Sequence, residues 1–529
     1  MKRVLLIPAD TRPVTLELPH QLARVAGLEM RSPPLEILNQ MNQPGNTAAI
    51  AEWLRREAPA ADVVIVSLET LCLGGVIPAR QVSDSLEEVL PRIEVLRQIK
   101  QRSPYLRMLA HGVIMRVAHE NDPLEEKPYY GEWGAALRKY SEWADRLERM
   151  TRPGSAESNR EDDTNLLAPG DAPMELDRAR LHLPREVLQD WLATRERNHA
   201  LHLAAIDLLD EGVLEHLCLT LDNAAPYGLA ARDRRRLEAR LDELGLWGEA
   251  DIYPGADEAA CTLLARALLN HAGRKTKVLV RYPSALAEQA ELLFEDRPLG
   301  ELVRAHLRAA GCVAVRSTEE ADLILAVNAP ATRQALHQPD YETVDTASRH
   351  LPELIDRLVG DQAAGRMVAV ADVAYARGAE DRFVRLLLQS INLPGLAGFA
   401  GWKTASNSLG SALAAGVCAL FGDDPVALAE ANFVRLVDDW LYQSRVRGEV
   451  QQALTEELGK PPSPYDLGEL QWGAELAIEQ RLSPLAHSLW QQYFAPSLPG
   501  VRLDWGRPRL AWPRLSNGVF PLRLVQEEG

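Results

Sequence analysis

The sequence predicts an α/β fold in which parallel sheets are covered by helices on both faces. Short apolar runs rich in β-branched residues alternate with longer stretches of helical spacing, which is typical of βαβ units. Near-continuous apolar runs of this length suit buried parallel strands. The predicted strands are RVLLIPA (3–9), DVVIVSLE (62–69), RMLAHGVIM (107–115), HLCLTLD (216–222), KVLVRY (277–282), DLILAVN (322–328) and MVAVADV (367–373).

The helical stretches separate these strands and divide the chain into parts. Helices are predicted at 86–101 and 258–272, among others. A chain of 529 residues is too long for one ordinary core and suggests roughly two to four domains. We expect two Rossmann-like α/β domains and a helical and irregular C-terminal region. Their predicted bounds are 1–272, 273–425 and 426–529.

Two features qualify this partition. Polar, acidic and proline-punctuated sequence at 151–185 predicts a mobile insertion in the first domain. The region 329–351 is predicted to be another long surface connection. In addition, about eight strand–helix pairs can be counted, so the sequence leaves open a single distorted (β/α)8 barrel as an alternative.

Composition argues against several classes of partner. The net charge of −17 leaves no excess of Lys and Arg to neutralise phosphates, so nucleic acid and anionic membranes are not expected partners. The five cysteines are dispersed without CxxC spacing, which argues against a cysteine-based zinc site and fits a reducing compartment. The N-terminal apolar stretch is too short for a signal peptide, and no run is long enough to span a membrane. We therefore expect a cytoplasmic protein.

Polar residues follow most of the predicted strands. Ligands of parallel α/β proteins bind at the carboxyl ends of the strands, so these residues predict a pocket rich in carboxylates. They are Asp10 and Arg12 after the first strand, Glu69 and Arg80 after the second, Arg116 after the third, Asp222 and Asn223 after the fourth, Asp257 and Glu258 at a helix start, Asp372 and Arg377 after the last, and Trp402, Lys403 and Asn407 before a later helix.

Structural explanations exist for the same residues. Asp at a strand end is often a helix N-cap, and PGADE (254–258) has the Pro and acids that a helix N-terminus favours. The Gly74–Gly75 pair suits a turn with positive φ. No GxGxxG, Walker A, HExxH or GxSxG motif occurs, which weakens the nucleotide, zinc-peptidase and α/β-hydrolase hypotheses.

Paired carboxylates suggest a specific chemistry. Two carboxyl groups that flank a substrate can act as acid and base or as acid and nucleophile, as in glycoside hydrolysis. Arginine and amide donors beside an aromatic face suit a polyhydroxylated or anionic ligand. The predicted catalytic carboxylates are Asp10, Glu69, Asp222, Asp257 and Asp372, and the predicted substrate-binding residues are Arg12, Arg80, Arg116, Asn223, Glu258, Arg377, Trp402, Lys403 and Asn407.

Several stretches together resemble a bacterial family of unknown function, DUF4127. The likeness spans most of the chain to about residue 450, and it implies no particular chemistry because none is assigned to the family. The stretches are LLIPADTRPVTLELP (5–19), VVIVSLETLCLGGVIPAR (63–80), IYPGADEAACTLLAR (252–266), ADLILAVNAP (321–330), VAVADVAYARGAED (368–381) and GLAGFAGWKTASNSLGSALA (395–414).

This chain departs from the family pattern at the presumed site. The resemblance implies Asp where Glu69 stands, Tyr where Leu73 stands, and Asn at the positions of Arg377 and Lys403. The departures add two positive charges and lengthen one carboxylate. They predict a more anionic substrate than that of relatives, or a loss of activity.

The sequence thus predicts an intracellular hydrolase of glycosidase type that acts on a sugar or amino-sugar conjugate. Its expected partner is a small polyhydroxylated substrate, and no cofactor or metal is expected for this chemistry. Two alternatives stay open: an enzyme in which Asp10, Glu69, Asp222 and Asp257 bind a divalent metal, and a non-catalytic sugar-binding module. The oligomeric state and the roles of the individual carboxylates are not specified by the sequence.

Overall fold

The computed structural model describes residues 1–151, 172–222, 224–338, 341–344 and 346–527. Six parallel strands form the first sheet: β1 (Arg3–Ile7), β2 (Glu29–Arg31), β3 (Val63–Ser67), β4 (Arg107–Ile114), β5 (His216–Leu221) and β6 (Ala250–Pro254). Their order across the sheet is β2-β1-β3-β4-β5-β6. The direction in which strands are added therefore reverses beside β1.

The second sheet repeats this plan with five parallel strands. They are β7 (Lys277–Arg281), β8 (Val313–Val315), β9 (Leu323–Asn328), β10 (Met367–Asp372) and β11 (Gly398–Ala400). Their order is β11-β10-β9-β7-β8, so the reversal lies beside β7. This is a doubly wound arrangement, in which ligands bind outside the carboxyl ends of the strands near the reversal.

Helices cover both faces of each sheet. In the first part they are α1 (Glu17–Val25), α2 (Thr47–Glu57), α3 (Leu68–Leu73), α4 (Pro78–Gln81), α5 (Leu86–Arg102), α6 (Tyr130–Thr151), α7 (Ala172–Leu181), α8 (Arg185–Asp210), α9 (Leu229–Leu244) and α10 (Ala259–Ala272). In the second part they are α11 (Leu299–Ala309), α12 (Tyr341–Val344), α13 (Leu351–Ala363), α14 (Asp381–Ser390) and α15 (Ala405–Ala419).

Helices α10 and α15 pack against each other between the two sheets. α10 contacts β3 and β4 of the first sheet, whereas α15 contacts β9, β10 and β11 of the second. One apolar cluster runs from Leu6 and Ile65 through Leu264 and Leu409 to Leu325. Because the two sheets share this core, the ends of α10 and α15 are held in a fixed relation to each other.

The C-terminal region is mainly helical and ends in two short antiparallel strand pairs. Its helices are α16 (Pro425–Arg435), α17 (Arg447–Leu458) and α18 (Gln471–Leu489), with π-helical stretches at Leu436–Val446 and Trp490–Phe494. β12 (Val501–Trp505) pairs with β15 (Leu522–Gln526), and β13 (Arg509–Leu510) pairs with β14 (Gly518–Val519). This region lies against the second sheet's outer helices and continues their apolar core.

The predicted α/β class with two parallel-sheet units is confirmed. The barrel alternative is wrong, because the strands form two separate open sheets. Part of the predicted insertion at 151–185 is helical, since α7 begins at Ala172, and residues 152–171 lie outside the described part of the chain. The region 329–351 contains buried polar residues and is not purely a surface connection. The predicted domain bounds stay predictions.

No helix in the described ranges has the length and apolar character needed to cross a membrane.

Candidate functional site

The N-termini of α10 and α15 meet at the carboxyl edge of the first sheet. Asp257 lies in the turn between β6 and α10, and its backbone N–H donates a 3.1 Å hydrogen bond to Oδ1 of Asn407 in α15. Lys403, just before α15, places Nζ 3.5 Å from Oδ2 of Asp257. The packing of the two helices thus brings three predicted site residues together. We refer to this edge, with its neighbouring acids, as the helix-end site.

Arg12 joins the helix-end site by bridging two carboxylates. Its Nε and Nη2 donate to Oδ2 of Asp10 at 3.0 and 2.6 Å, and its Nη1 and Nη2 donate to Asp257 at 3.0 and 2.5 Å. Asp10 follows β1 and also accepts from the hydroxyl of Thr15 at 2.6 Å. The planar guanidinium has enough donors in a fixed fork to hold both acids. The loop after β1 is therefore tied to the start of α10.

Burial and charge together determine the ionisation of Asp257. Burial alone would raise the pKa of Asp257, but the positive charges of Arg12 and Lys403 outweigh it and hold the pKa below its ordinary value. The Lys403 side chain is 49% exposed, whereas that of Asp257 is 8% exposed. At neutral pH the site thus holds an ionised carboxylate, and Lys403 is its more accessible charge.

Two more carboxyl groups lie near these helix ends and have raised pKa values. Burial raises the pKa of Glu258 to about 8, and the negative charges of Asp257 and Glu295 add to the effect. Burial raises the pKa of Glu295 to about 7, although the backbone N–H and the hydroxyl of Ser406 donate to it at 2.9 and 2.6 Å. An ionised carboxylate beside proton-bearing carboxyl groups is what general acid–base chemistry requires.

The C-terminal region closes this edge of the sheet. The indole of Trp512 lies over Arg12, with the guanidinium carbon 4.9 Å from the ring centroid. Trp512 is 3% exposed and packs with Met41 and Ile77. A substrate that reaches Arg12 must therefore approach beside this segment or displace it.

A second network of charges occupies the ends of β4 and β5. Arg116 donates to Glu126 at 2.9 Å and to Asp222 at 3.1 Å, and it also pairs with Glu125. Each arginine of the network has an acidic partner, so Arg80 and Arg116, two of the predicted substrate-binding arginines, are already paired within the protein. The members are Arg80, Arg116, Arg514, Glu125, Glu126 and Asp222.

Glu69 has a separate environment on the face covered by α8. Its Oε1 lies 2.9 Å from Nε2 of His202 and accepts a 2.8 Å hydrogen bond from the backbone N–H of Val113. Burial lowers the pKa of nearby His111 to about 4, with the charge of Glu69 acting in the opposite direction. No hydrogen bond or ion pair between described residues joins the Glu69 carboxylate to Asp10 or Asp257.

Asp372 belongs to a buried network at the end of β10 in the second sheet. It accepts from Nδ2 of Asn328 at 3.0 Å and from the backbone N–H of Glu380 at 2.8 Å. Burial and the neighbouring charge of Glu380 raise the pKa of Asp372 to about 7. Arg349 neutralises Glu380 at 2.5 Å, and both side chains are fully buried. This predicted catalytic acid is thus part of an internal network and does not contact the helix-end site.

Three predicted substrate-binding residues remain. Trp402 is 7% exposed, and its Nε1 is buried without a hydrogen-bond partner in the described structure. Lys403 Nζ lies 5.7 Å from the centroid of the Trp402 ring, which places the indole beside the helix-end site. Arg377 is exposed in the loop after β10. Asn223 lies outside the described residues.

The carboxylates proposed as metal ligands do not share one location. Asp10 and Asp257 are bridged by Arg12, which lies between them, whereas Glu69 pairs with His202 and Asp222 pairs with Arg116. Within the described ranges, no group of three or more His, Cys, Asp or Glu side chains is placed to hold a metal ion.

Sequence reasoning missed Glu295, Trp512 and Arg514. Glu295 lies in an irregular segment, and its contact with Ser406 spans 111 positions of the chain. Trp512 and Arg514 lie in a C-terminal stretch that carries no strand–helix pattern. Only the unusual density of Trp and Arg in DWGRPRLAWPR (504–514) could have drawn attention to it.

The motifs around this site identify the family. The family model described as a protein of unknown function, DUF4127, matches residues 4–517. The chain belongs to the DUF4127 family. The match covers both sheets and nearly all of the C-terminal region, including Trp512 and Arg514. No curated protein matches the chain significantly.

Proposed function

We propose that this DUF4127 protein is a hydrolase of glycosidase type that works through paired carboxyl groups at the helix-end site. The observation that carries the proposal is the opposite behaviour of two acids that contact the first turn of α15. Arg12 and Lys403 keep the pKa of Asp257 low, whereas burial raises the pKa of Glu295 to about 7. Acid and base roles are commonly divided between two carboxyl groups whose environments push their pKa values apart in this way.

The two acids contact neighbouring positions of one helix. Asp257 is joined to α15 by its backbone N–H on Asn407, and Glu295 accepts from the backbone N–H and hydroxyl of Ser406. The partial positive charge of a helix N-terminus favours negative charge that develops there during reaction. In this proposal Glu295 donates a proton to the leaving-group oxygen. Asp257 attacks the anomeric carbon or activates the water that does so.

The surroundings suit a sugar or amino-sugar conjugate. Sugar rings commonly contact aromatic side chains. Trp402 lies beside Lys403, but its ring is 7% exposed, so a sugar can reach only a small part of it. Lys403, which is 49% exposed, can donate hydrogen bonds to hydroxyl or anionic groups. A small polyhydroxylated ligand is therefore the substrate class we propose.

The test compares variants whose defects should depend on the leaving group. Nitrophenol leaves without protonation, whereas an alkyl alcohol requires an acid. We expect Glu295→Gln to lose about 100-fold or more of the turnover of alkyl glycosides but much less with nitrophenyl glycosides. We expect Asp257→Asn to lose turnover with both. Glu291→Gln, at an exposed glutamate of the same segment, is the matched control and should behave as wild type.

A thermal-shift screen against sugars, amino sugars and sugar acids first selects the substrate class, since binding to the native state raises Tm. If a ligand stabilises the wild type and all variants but no product forms, the protein is a sugar-binding module and the hydrolase proposal is wrong. An equal effect of Glu295→Gln on both kinds of leaving group would remove Glu295 from the role of acid.

A further inference from the structure

Three chain segments converge beyond the carboxyl end of β10. The loop 373–380 carries Ala379, whose carbonyl oxygen accepts from Nε2 of Gln338 at 2.8 Å and from the hydroxyl of Ser444 at 2.6 Å. Gln338 closes the segment after β9, and Ser444 lies near the end of the π-helical stretch. These hydrogen bonds fix the three segments against one another.

Each of the three segments presents a basic side chain at this point. They are Arg377 from the loop, His337 beside Gln338, and Arg447 at the start of α17. In the part of the chain that the structure describes, none of the three has a carboxylate within ion-pair distance. The guanidinium of Arg447 donates a 2.8 Å hydrogen bond to the amide oxygen of Gln443. In a chain of net charge −17, the described residues thus include a basic cluster without an ion-paired carboxylate.

The position of Arg447 is electrostatically unfavourable in the protein alone. Burial lowers the pKa of Arg447, and the charge of Arg377 acts in the same direction. Burial is also the main cause of the lowered pKa of His337, to which both arginines contribute. The charge of Asp438 favours the ionised form of Arg447 but does not offset its burial. Withdrawing a guanidinium from water without full compensation is disfavoured. A bound anion would relieve this cost.

Two described acids of the neighbouring helices already have other partners. Asp438 accepts from Nη2 of Arg435 at 3.0 Å and from Gln443 at 3.1 Å. Asp381 accepts from Arg385 at 2.7 Å and from the indole N–H of Trp440 at 3.0 Å. Asp438 attracts Arg447 but forms no ion pair with it, and its closer partner is Arg435.

The backbone is shaped to bring the cluster together. Gly378 has φ of 80°, and a Cβ there would lie 2.3 Å from the hydroxyl of Ser444, so only glycine allows this approach. The π-helical stretch ends at Val446, directly before Arg447. Widened helical turns of this kind are found frequently at functional sites.

We propose that Arg377, Arg447 and His337 form a binding site for a phosphoryl group, either as inorganic phosphate or as the terminal group of a phosphate ester. Guanidinium groups suit phosphate oxygens because their donors form a planar fork. The exposed Arg377 and His337 leave the cluster open to solvent. This site does not depend on the proposed hydrolase activity, and its test is binding alone.

The experiment uses the full chain with ¹³C-labelled histidine rings at constant ionic strength. The His337 resonance is assigned with His337→Gln. Titration with inorganic phosphate should shift this resonance saturably and raise the pKa of His337, because the anion offsets the two arginines. Arg377→Gln should weaken phosphate binding about tenfold or more and raise the pKa of His337 without any ligand. Because Arg377 is exposed, the substitution should leave folding intact.

Arg445→Gln is the matched control. Arg445 lies on the same helical stretch, but its guanidinium lies over Trp440, 5.8 Å from the ring centroid. This variant should bind phosphate as the wild type does. Glucose 6-phosphate in a parallel titration distinguishes the two sources: preference for the ester, with the same dependence on Arg377, assigns the site to a phosphorylated ligand. Absence of saturable binding of either probe, or equal binding by Arg377→Gln, overturns the proposal.

Discussion

Arg12 Nη2 lies 2.5 Å from Oδ1 of Asp257, although 245 positions separate the two residues. The contact joins the loop at the strand-order reversal beside β1 to the start of α10. Because the same guanidinium also holds Asp10, a single cation keeps two buried carboxylates together. The position of both carboxylates and part of the stability of the fold therefore depend on the Arg12 side chain.

Removing this cation should be strongly destabilising. Arg12→Met leaves Asp10 and Asp257 facing each other, and an uncompensated buried charge typically costs about 3–5 kcal/mol. We expect a loss of this order in the free energy of unfolding, measured by urea denaturation at pH 7. Arg31→Met, at a surface pair with a 47% exposed arginine, is the control and should change stability little. Equal stability of the two variants would contradict the bridging role of Arg12.

Much of the fold follows from local pattern. Of the parallel strands, this pattern missed β2, β6, β8 and β11, and three of these four have a common physical cause. The long apolar runs that became β1, β3, β4, β5, β7, β9 and β10 are visible in the sequence because a buried parallel strand needs nearly continuous apolar residues. β2, β8 and β11 have only three residues each. Three residues establish no periodicity, so pairing with a longer neighbour, and not local sequence, defines these strands.

The site could be predicted only in part for a related reason. The rule that ligands meet strand ends selected Asp10, Arg12, Asp257, Lys403 and Asn407, which do converge. The same rule selected Glu69, Asp222 and Asp372, which end in separate networks with His202, Arg116 and Asn328. The sequence shows that a charged residue follows the end of a strand, but it does not show which residue neutralises that charge. That partner comes from a distant segment.

Close packing between α15 and Glu258 gives a second prediction. A Cβ at Gly410 would lie 2.3 Å from Cγ of Glu258 and 3.2 Å from Nδ1 of His306. Gly410→Ala should therefore destabilise the protein by about 1–3 kcal/mol through overpacking. Gly448→Ala is the control, since nothing lies within 4 Å of its Cβ and alanine favours the helix. Thermal unfolding should move the two variants in opposite directions; a stabilised Gly410→Ala would refute the tight packing.

Trp512 should matter for stability far more than Trp472, an exposed tryptophan of the same C-terminal region. Its indole is 3% exposed and lies over Arg12, so Trp512→Ala removes a buried ring at the helix-end site. Loss of such a ring costs about 3–5 kcal/mol. Trp472→Ala, at a 65% exposed ring, should cost much less. Urea denaturation measures both variants. Hydrogen exchange of the loop after β1 should accelerate in Trp512→Ala alone, and unchanged exchange there would show that the segment does not close the site.

The buried carboxyl group of Glu258 should make stability depend on pH. In the unfolded chain a glutamate titrates near ~4.3, whereas burial raises the pKa of Glu258 in the folded protein to about 8. Between these values the folded state binds more protons than the unfolded state, so the free energy of unfolding falls as pH rises. The stabilisation that Glu258 contributes is fully present below the pKa of the unfolded chain. It is lost as pH rises through the pKa of the folded protein.

Glu258→Gln should remove this dependence, because the amide is neutral at every pH and its oxygen can still accept from the backbone N–H of Ala256. We expect the variant to gain stability relative to wild type as pH rises from about 5 to 8, by on the order of 1 kcal/mol per pH unit. Urea denaturation across this range measures the difference. Glu291→Gln, at an exposed position, should run parallel to wild type. If Glu258→Gln also runs parallel, Glu258 is ionised in the folded protein, and the site holds one proton fewer than the structure indicates.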